Sequence, residues 1–334
     1  MTEKRKARTV RIGTRTSKLA VVQTELVAEA IRKSCPQTET ELVTRQTMGD
    51  QILNKPLLEF GGKGVFVSEF EQGLTDGTID LAVHSAKDMP MELGEGLAIL
   101  AVPEREDPRD VLVMREGTVL SGKTEIVAGT SSPRRAVQIE ELGPKLWPGS
   151  SVRCSMLRGN VNTRLKKLGE GGYDVIILAA AGLKRLGFLN GEEAAGGVFT
   201  ENGQIFRYEY LDCETFIPAG GQGILAVEGR EEDEEMREIC GRIEDRSARL
   251  CLETEREVLR LLNAGCHEPI GVYTWIREGG EIELSGICGR DSQIRRFCGS
   301  AAVSRAKELA EEAAAALGGI TGSQVSEETK ERRD

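Results

Sequence analysis

Cationic side chains recur in one kind of place in this chain, just past short apolar runs, in turns rich in glycine and hydroxyl residues. Arg15 and Ser17 follow Val10 to Gly13, and Lys87 follows Ile79 to His84. Ser131 with Arg134 and Arg135 follows Ile126 to Gly129, Arg158 and Arg164 follow Val152 to Met156, and Lys184 and Arg185 follow Tyr173 to Ala179. Lys63 stands in another glycine-rich turn, Gly61-Gly62-Lys63-Gly64. Arginine donates two parallel hydrogen bonds to a carboxylate or phosphate and keeps its charge when partly buried. One such turn is unremarkable, because a basic residue in the first turn of a helix is common and usually solvated. The repetition predicts a ligand carrying several anionic groups. Carboxylate and phosphate both stay open, although the turn around Lys63 lacks the GxxxxGK[ST] spacing of a phosphate loop.

Two further residues have chemistry of their own. Asp88 lies in His84-Ser85-Ala86-Lys87-Asp88-Met89-Pro90, at the same strand ends as the cations. A carboxylate there can stabilise a developing positive charge or accept a proton, and a salt bridge to Lys87 or a helix cap is an equal alternative. Cys266 lies in Asn263-Ala264-Gly265-Cys266-His267-Glu268-Pro269-Ile270-Gly271, a turn-rich stretch that predicts an accessible thiol. A cysteine by itself is more often a small buried hydrophobe than a nucleophile, and an adjacent histidine need not face it.

The elements that must position these residues follow from periodicity. From Val10 to about Leu186, short apolar runs, small-residue turns and amphipathic stretches alternate, which predicts repeated strand, loop and helix. Strands are expected at the runs named above and also at Ala98 to Val102 and Val111 to Met114; several are apolar on both faces, which suits parallel strands covered by helices. Helices are expected after Ser17, Ser68, Ser132-Pro133 and Asn160, where a capping residue or an early proline precedes apolar positions three and four apart. In such a sheet, ligands bind beyond the carboxyl ends of the strands, where helix N-termini also offer free N–H groups.

Val102-Pro103 through Arg109, and Ile217 to Gly223, are expected to be crossings between lobes. The polar stretch from Phe188 to Thr215 is expected to be an extended connection or surface insertion. Beyond Asp245, a helix to Leu262, strands at Gly271 to Ile276 and Glu281 to Ile287, and a helix near Ala301 to Leu317 predict a small α+β domain. The boundaries expected are 9–103 with 222–242, then 107–217, then 246–320, followed by a polar tail at 321–334 expected to be disordered.

Composition excludes several classes of function. The chain has 334 residues, 39% hydrophobic and 29% charged, enough for two or three cores. A net charge of −10 argues against wrapping nucleic acid. No apolar run is long enough to span a membrane and residues 1–8 lack an apolar signal core, so a cytoplasmic protein is expected. The eight cysteines are dispersed without a CxxC spacing, which predicts reduced thiols, and His84 and His267 share no cluster with them, so no metal is expected.

The motifs also resemble a known family in an ordered series. They are Arg11-Ile12-Gly13-Thr14-Arg15-Thr16-Ser17, Gly61 to Phe66, His84 to Pro90, Arg105-Glu106-Asp107-Pro108-Arg109-Asp110, Gly129 to Arg135, Leu157-Arg158-Gly159-Asn160, Leu178 to Arg185, Pro218 to Gly223 and the Cys266 segment. Together, from Arg11 to about Gly289, they resemble the porphobilinogen deaminase family. The resemblance implies an α/β fold: two domains like type II periplasmic binding proteins with a cleft between them, and a small α+β C-terminal domain. It implies a dipyrromethane cofactor joined to Cys266 by a thioether and four porphobilinogen molecules added in turn with loss of ammonia, giving hydroxymethylbilane. Asp88 would then be catalytic. Lys87, Ser131, Arg134, Arg135, Arg158 and Gln222 would hold the cofactor, and Arg15, Ser17, Arg164 and Arg185 the substrate, with Lys63 on a mobile loop. A monomer is implied. Noncatalytic anion binding by a two-lobed protein and catalysis on a phosphorylated metabolite are the competing readings. The chain departs from the family pattern next to the cysteine, where Glu268 replaces an apolar residue before proline, and at Gly220, which replaces a usually larger one.

Overall fold

The computed structural model describes residues 8–45, 68–189, 196–265, 268–290 and 292–319. The chain divides into two compact units, Met1–Glu106 with Ile224–Arg249, and Asp107–Gly223 with Leu250–Asp334.

The first unit is built on a five-stranded sheet in the order β2-β1-β3-β11-β4. Strand β1 (Arg8–Arg15) runs parallel to β2 (Thr38–Arg45) and to β3 (Leu81–Ser85), while β11 (Leu225–Arg230) is antiparallel between β3 and β4 (Leu97–Ala101). Helix α1 (Lys18–Ser34) starts where the Ser17 side chain accepts the Ala20 N–H at 3.3 Å. Its apolar positions are spaced three and four apart, so Val27, Ala28 and Ile31 face Val10, Ile12, Leu225 and Val227. On a second core, α2 (Ser68–Thr75) carries Phe70 and Leu74 onto Ile79 and Ala82. A Cβ at Gly13 would lie 2.6 Å from Ile79 Cδ1 and 2.9 Å from Phe70 Cδ1, so only glycine lets those side chains close over β1.

The second unit repeats the plan with one strand more, in the order β7-β6-β8-β5-β10-β9. Strands β6 (Glu125–Gly129), β7 (Ser151–Ser155) and β8 (Val175–Ala179) are parallel; β5 (Asp110–Arg115) is antiparallel between β8 and β10 (Gln204–Leu211), and β9 (Gly196–Glu201) pairs antiparallel with β10. Helices α3 (Pro133–Leu146), α4 (Val161–Gly169) and α5 (Ala180–Arg185) follow β6, β7 and β8. Each sheet thus places two strands beside the first of its parallel trio and inserts one antiparallel strand next to the third, the type II binding-protein order. Of the apolar runs said to suit parallel strands, Val111 to Met114 lies in β5, which is antiparallel to both neighbours. Burial on both faces produces the same apolar run whichever way a strand points.

The stretch expected as an extended connection or surface insertion, 188–215, contains β9 and β10, which extend the sheet, with Asn202 (φ 50°) and Gly203 (φ 76°) as the two-residue turn between them. Phe199, Phe206 and Tyr208 are buried, and Phe188, Phe199 and Phe206 stack at centroid distances of 5.2 and 5.5 Å. Polar residues at the alternating positions made a period-two strand read as a polar loop.

A three-stranded antiparallel sheet, β12 (Ile270–Arg277), β13 (Glu281–Cys288) and β14 (Arg295–Ala302), belongs to the second unit. Completing the helices, α6 (Glu234–Gly241) packs on the first sheet, and α7 (Arg246–Leu261) and α8 (Ala306–Gly318) cover the third. The helix expected from Ala301 begins at Ala306, because residues 295–302 pair with β13. Among the described residues no helix is long and apolar enough to cross a membrane.

Candidate active site

In the first unit, β1 and β3 end side by side, with Ile12 opposite Leu81 and Gly13 opposite Ala82. Arg15 and Ser17 leave one strand, and a single 3-10 turn, Ala86–Asp88, leaves the other. The turn is tethered from below. Ala86 donates its N–H to Ile224 O at 3.0 Å, and Ala86 and Met89 are buried on either side of Lys87 and Asp88. Asp88 is left exposed and Lys87 half-buried. Ser85 Oγ accepts from the Gln23 amide at 3.1 Å, joining α1 to the base of the turn. Beneath it, His84 Nε2 lies 2.9 Å from Glu228 Oε2, both side chains buried, with the imidazole edge-on to Phe70. Buried contacts therefore fix the root of the turn while its carboxylate faces water.

The second unit is arranged around a buried anion. Asp110, at the head of β5, is fully buried. Its Oδ2 accepts from Arg134 Nη2 at 2.7 Å, and its Oδ1 accepts from Arg135 Nη2 at 2.7 Å and Nε at 3.1 Å, and from Gln222 Nε2 at 3.1 Å. Arg134 also donates to Ile217 O and Arg135 to Ile177 O, at 2.7 and 2.9 Å, and Gln222 donates to Pro108 O at 2.7 Å. Gln222 thus ties both segments at which the chain passes between units. Burial pulls the Arg134 guanidinium below its ordinary value in spite of Asp110. Its Nε–H is buried with no acceptor among the described residues.

Ser132 caps α3 and Asn160 caps α4, as their positions before the helices predict. Ser131 Oγ donates to Leu157 O at 2.7 Å and accepts from Leu157 N–H at 3.1 Å, zipping the β6 and β7 loops together. Arg158, on the second of these loops, is half-buried and enters no ion pair among the described residues. Arg164 Nε donates to Gly159 O at 2.8 Å and Arg185 Nη2 to Gly223 O at 2.7 Å. Lys184, read from the sequence as part of the ligand-facing edge, is paired with Asp107 at 3.0 Å, beside Arg109 at 2.7 Å. Burial would raise the Asp107 carboxyl, but hydrogen bonds from Arg109 and Lys184 hold it below its ordinary value. Arg109 in turn lies over the Tyr210 ring, 3.7 Å from its centroid.

Glu255 in α7 accepts from Gly221 N–H at 2.6 Å, Thr274 N–H at 2.8 Å and the Thr274 hydroxyl at 3.0 Å, fastening the segment before Gly223 to β12. Gly220 serves the same junction, since a Cβ there would lie 2.8 Å from Leu259 Cδ1. Cys266 and Lys63 lie outside the described residues; Gly265, just before the cysteine, is exposed. Burial pushes the thiols of Cys154 and Cys240 up to about 12, which leaves both as poor nucleophiles.

Asp110, Asp107, Glu228 and Glu255 were not among the residues singled out from the sequence. Asp107 and Asp110 stand in a quoted motif, yet nothing in a sequence marks which carboxylate will be buried as a counter-ion.

Residues 10–238 match the family model described as porphobilinogen deaminase, dipyromethane cofactor binding domain. The chain belongs to the porphobilinogen deaminase family. Residues 249–319 match the model of the family's C-terminal domain, which takes in Cys266. The porphobilinogen deaminase of Brevibacillus brevis is 42% identical over 288 residues, covering 86% of this chain and 86% of its own. That of Syntrophobacter fumaroxidans is 44% identical over 285 residues, covering 84% of each. Among solved structures, the periplasmic VFT2 domain of Bordetella pertussis BvgS aligns with a TM-score of 0.36 and 14% identity, over 74% of this chain and 93% of that one. Family membership brings the dipyrromethane cofactor, and the donor set suits it. Among the described residues, a buried guanidinium N–H without an acceptor and an arginine outside any ion pair are what a ligand with several carboxylates would satisfy.

Proposed function

We propose that this chain is a transferase that joins four porphobilinogen molecules head to tail into hydroxymethylbilane, releasing one ammonia per addition, in tetrapyrrole biosynthesis. The observation that carries the reading is the contrast at the strand ends: an exposed carboxylate, Asp88, on a turn with a buried root, and a second set of loops rich in arginines held from behind. Each pyrrole brings an acetate and a propionate, so the growing chain is a polyanion, and fixed guanidinium groups bind it without reorganising.

The dipyrromethane, bound through Cys266, supplies the pyrrole carbon at which the chain grows. Arg134, Arg135 and Gln222, which share Asp110, together with Lys87, Ser131 and Arg158, would hold its carboxylates. Arg15, Ser17, Arg164, Arg185 and Lys63 would hold those of the arriving porphobilinogen. As the C–N bond of the protonated aminomethyl group breaks, ammonia leaves with the bonding pair and a methylene-pyrrole cation remains, which Asp88 would stabilise. Asp88 would also take up the proton lost from the terminal pyrrole carbon when the new carbon–carbon bond forms. An exposed carboxylate suits this task, since it can hand the proton on to water. The free state of Cys35, Cys154, Cys213, Cys240, Cys251, Cys288 and Cys298 is in keeping with a cytoplasmic enzyme.

Intact mass spectrometry tests the reading. The purified chain is expected to carry a covalent dipyrrole adduct that disappears in Cys266→Ala. A fully active protein without the adduct overturns the mechanism.

A further inference from the structure

Residues on either side of Cys266 in sequence are joined by one side chain. Arg290, just past β13, sends Nε to Glu268 Oε2 at 2.9 Å and Nη1 to Leu262 O at 3.0 Å. One guanidinium therefore binds both ends of the segment within which Cys266 falls in sequence. The backbone closes the same ring: Asn263 turns at φ 48°, Glu268 N–H donates to Gly265 O at 3.1 Å, and Gly289 N–H to Pro269 O at 3.0 Å. The anchor is firm. A Cβ at Gly289 would lie 2.9 Å from Val137 Cγ1, so the residue before Arg290 is seated on α3, the helix that carries Arg134 and Arg135.

We propose that Glu268 and Arg290 form a clasp, a pair of positioning residues that ties Glu268 to Leu262, residues on either side of Cys266 in sequence, and so speeds attachment of the cofactor to that cysteine. The inference rests on the function proposed above. The two side chains are 38% and 29% exposed, and an ion pair in such a setting adds little to overall stability. Its effect lies in geometry, because flanking residues tied together before a ligand arrives spare the ligand part of the ordering cost. In the attachment, the Cys266 sulfur bonds to the aminomethyl carbon of porphobilinogen, the C–N bond breaks, and ammonia leaves with the thiol proton.

The test starts from full-length apoprotein made in cells that cannot synthesise porphobilinogen. Porphobilinogen is then added and the adduct followed by intact mass. Glu268→Gln and Arg290→Gln are each expected to slow loading by about tenfold, the order of one ordered loop contact, and the double variant to be no slower than the slower single. The ratio of wild-type to E268Q rates narrows toward one as salt is raised, a change a merely structural role would not give. Loading by E268Q at the wild-type rate overturns the clasp, and E268Q decides the matter if R290Q does not fold. Hydrogen exchange at the Glu268 amide, measured in the same apoproteins, is expected to accelerate in E268Q. A wild-type chain that never gains the adduct defeats the proposed function. The exchange measurement then judges the clasp alone, and unchanged exchange overturns it.

Discussion

The two α/β sheets share a strand order and use it in opposite electrical senses. In the first unit, the turn after β3 is rooted by buried neutral contacts and a His84–Glu228 pair, and what it presents to solvent is the Asp88 carboxylate. In the second, the carboxylate is the hidden partner: Asp110 lies inside and holds Arg134, Arg135 and Gln222. The difference teaches how one topology divides labour. On the function proposed, the group that exchanges protons is the wet one, and the groups that hold ligand charge are those locked to a buried counter-ion.

Removing that counter-ion is the severest way to break the contrast. Asp110→Asn leaves two buried guanidinium groups without an anion, and urea unfolding is expected to show a loss of about 3–5 kcal/mol. Asp88→Asn should do the reverse, sparing the fold, since the residue is exposed, while lowering turnover of the loaded enzyme about 10²-fold, roughly 2.7 kcal/mol in the barrier. Single-turnover measurement of ammonia release checks it, and near-normal turnover would return Asp88 to a structural role. Arg158→Gln, which removes a cation outside any described ion pair and assigned to the cofactor, is expected to slow formation of the covalent dipyrrole adduct about tenfold, roughly 1.4 kcal/mol, as followed by intact mass, with little change in melting temperature.

The smallest effect is on pH. Asp107 has its folded value lowered from 3.8, so its pairing with Arg109 and Lys184 stabilises fully above the unfolded carboxyl's titration and is lost as pH falls through the folded value. Asp107→Asn should therefore cost about 1 kcal/mol at pH 7, and the gap to wild type should shrink in acid denaturation below pH 3.8. A gap that stays constant through the acid limb would show that the carboxylate's charge is irrelevant there.

How much of this was legible in the residues varied with the kind of signal. Helix starts were, because Ser17, Ser132 and Asn160 announce their caps locally. Parallel strand ends were, because apolar runs followed by small residues and arginine are contiguous in the chain. Strands β9 and β10 were not, since their polar alternate positions outweighed the Asn202-Gly203 turn, a local hairpin signal that was present. Asp110 was not, for a different reason. A buried counter-ion is defined by partners 24, 25 and 112 residues away, and no local pattern encodes them.

The strand order also dictates a schedule for synthesis. In the first sheet, β11 sits between β3 and β4 yet is made more than a hundred residues after either, whereas the second sheet draws all six strands from one continuous stretch. On the ribosome the later-encoded sheet can therefore be finished first. The earlier one waits with two open edges until Leu225–Arg230 emerges to close it, which makes that interval the time when the nascent chain most needs protection from pairing with a neighbour.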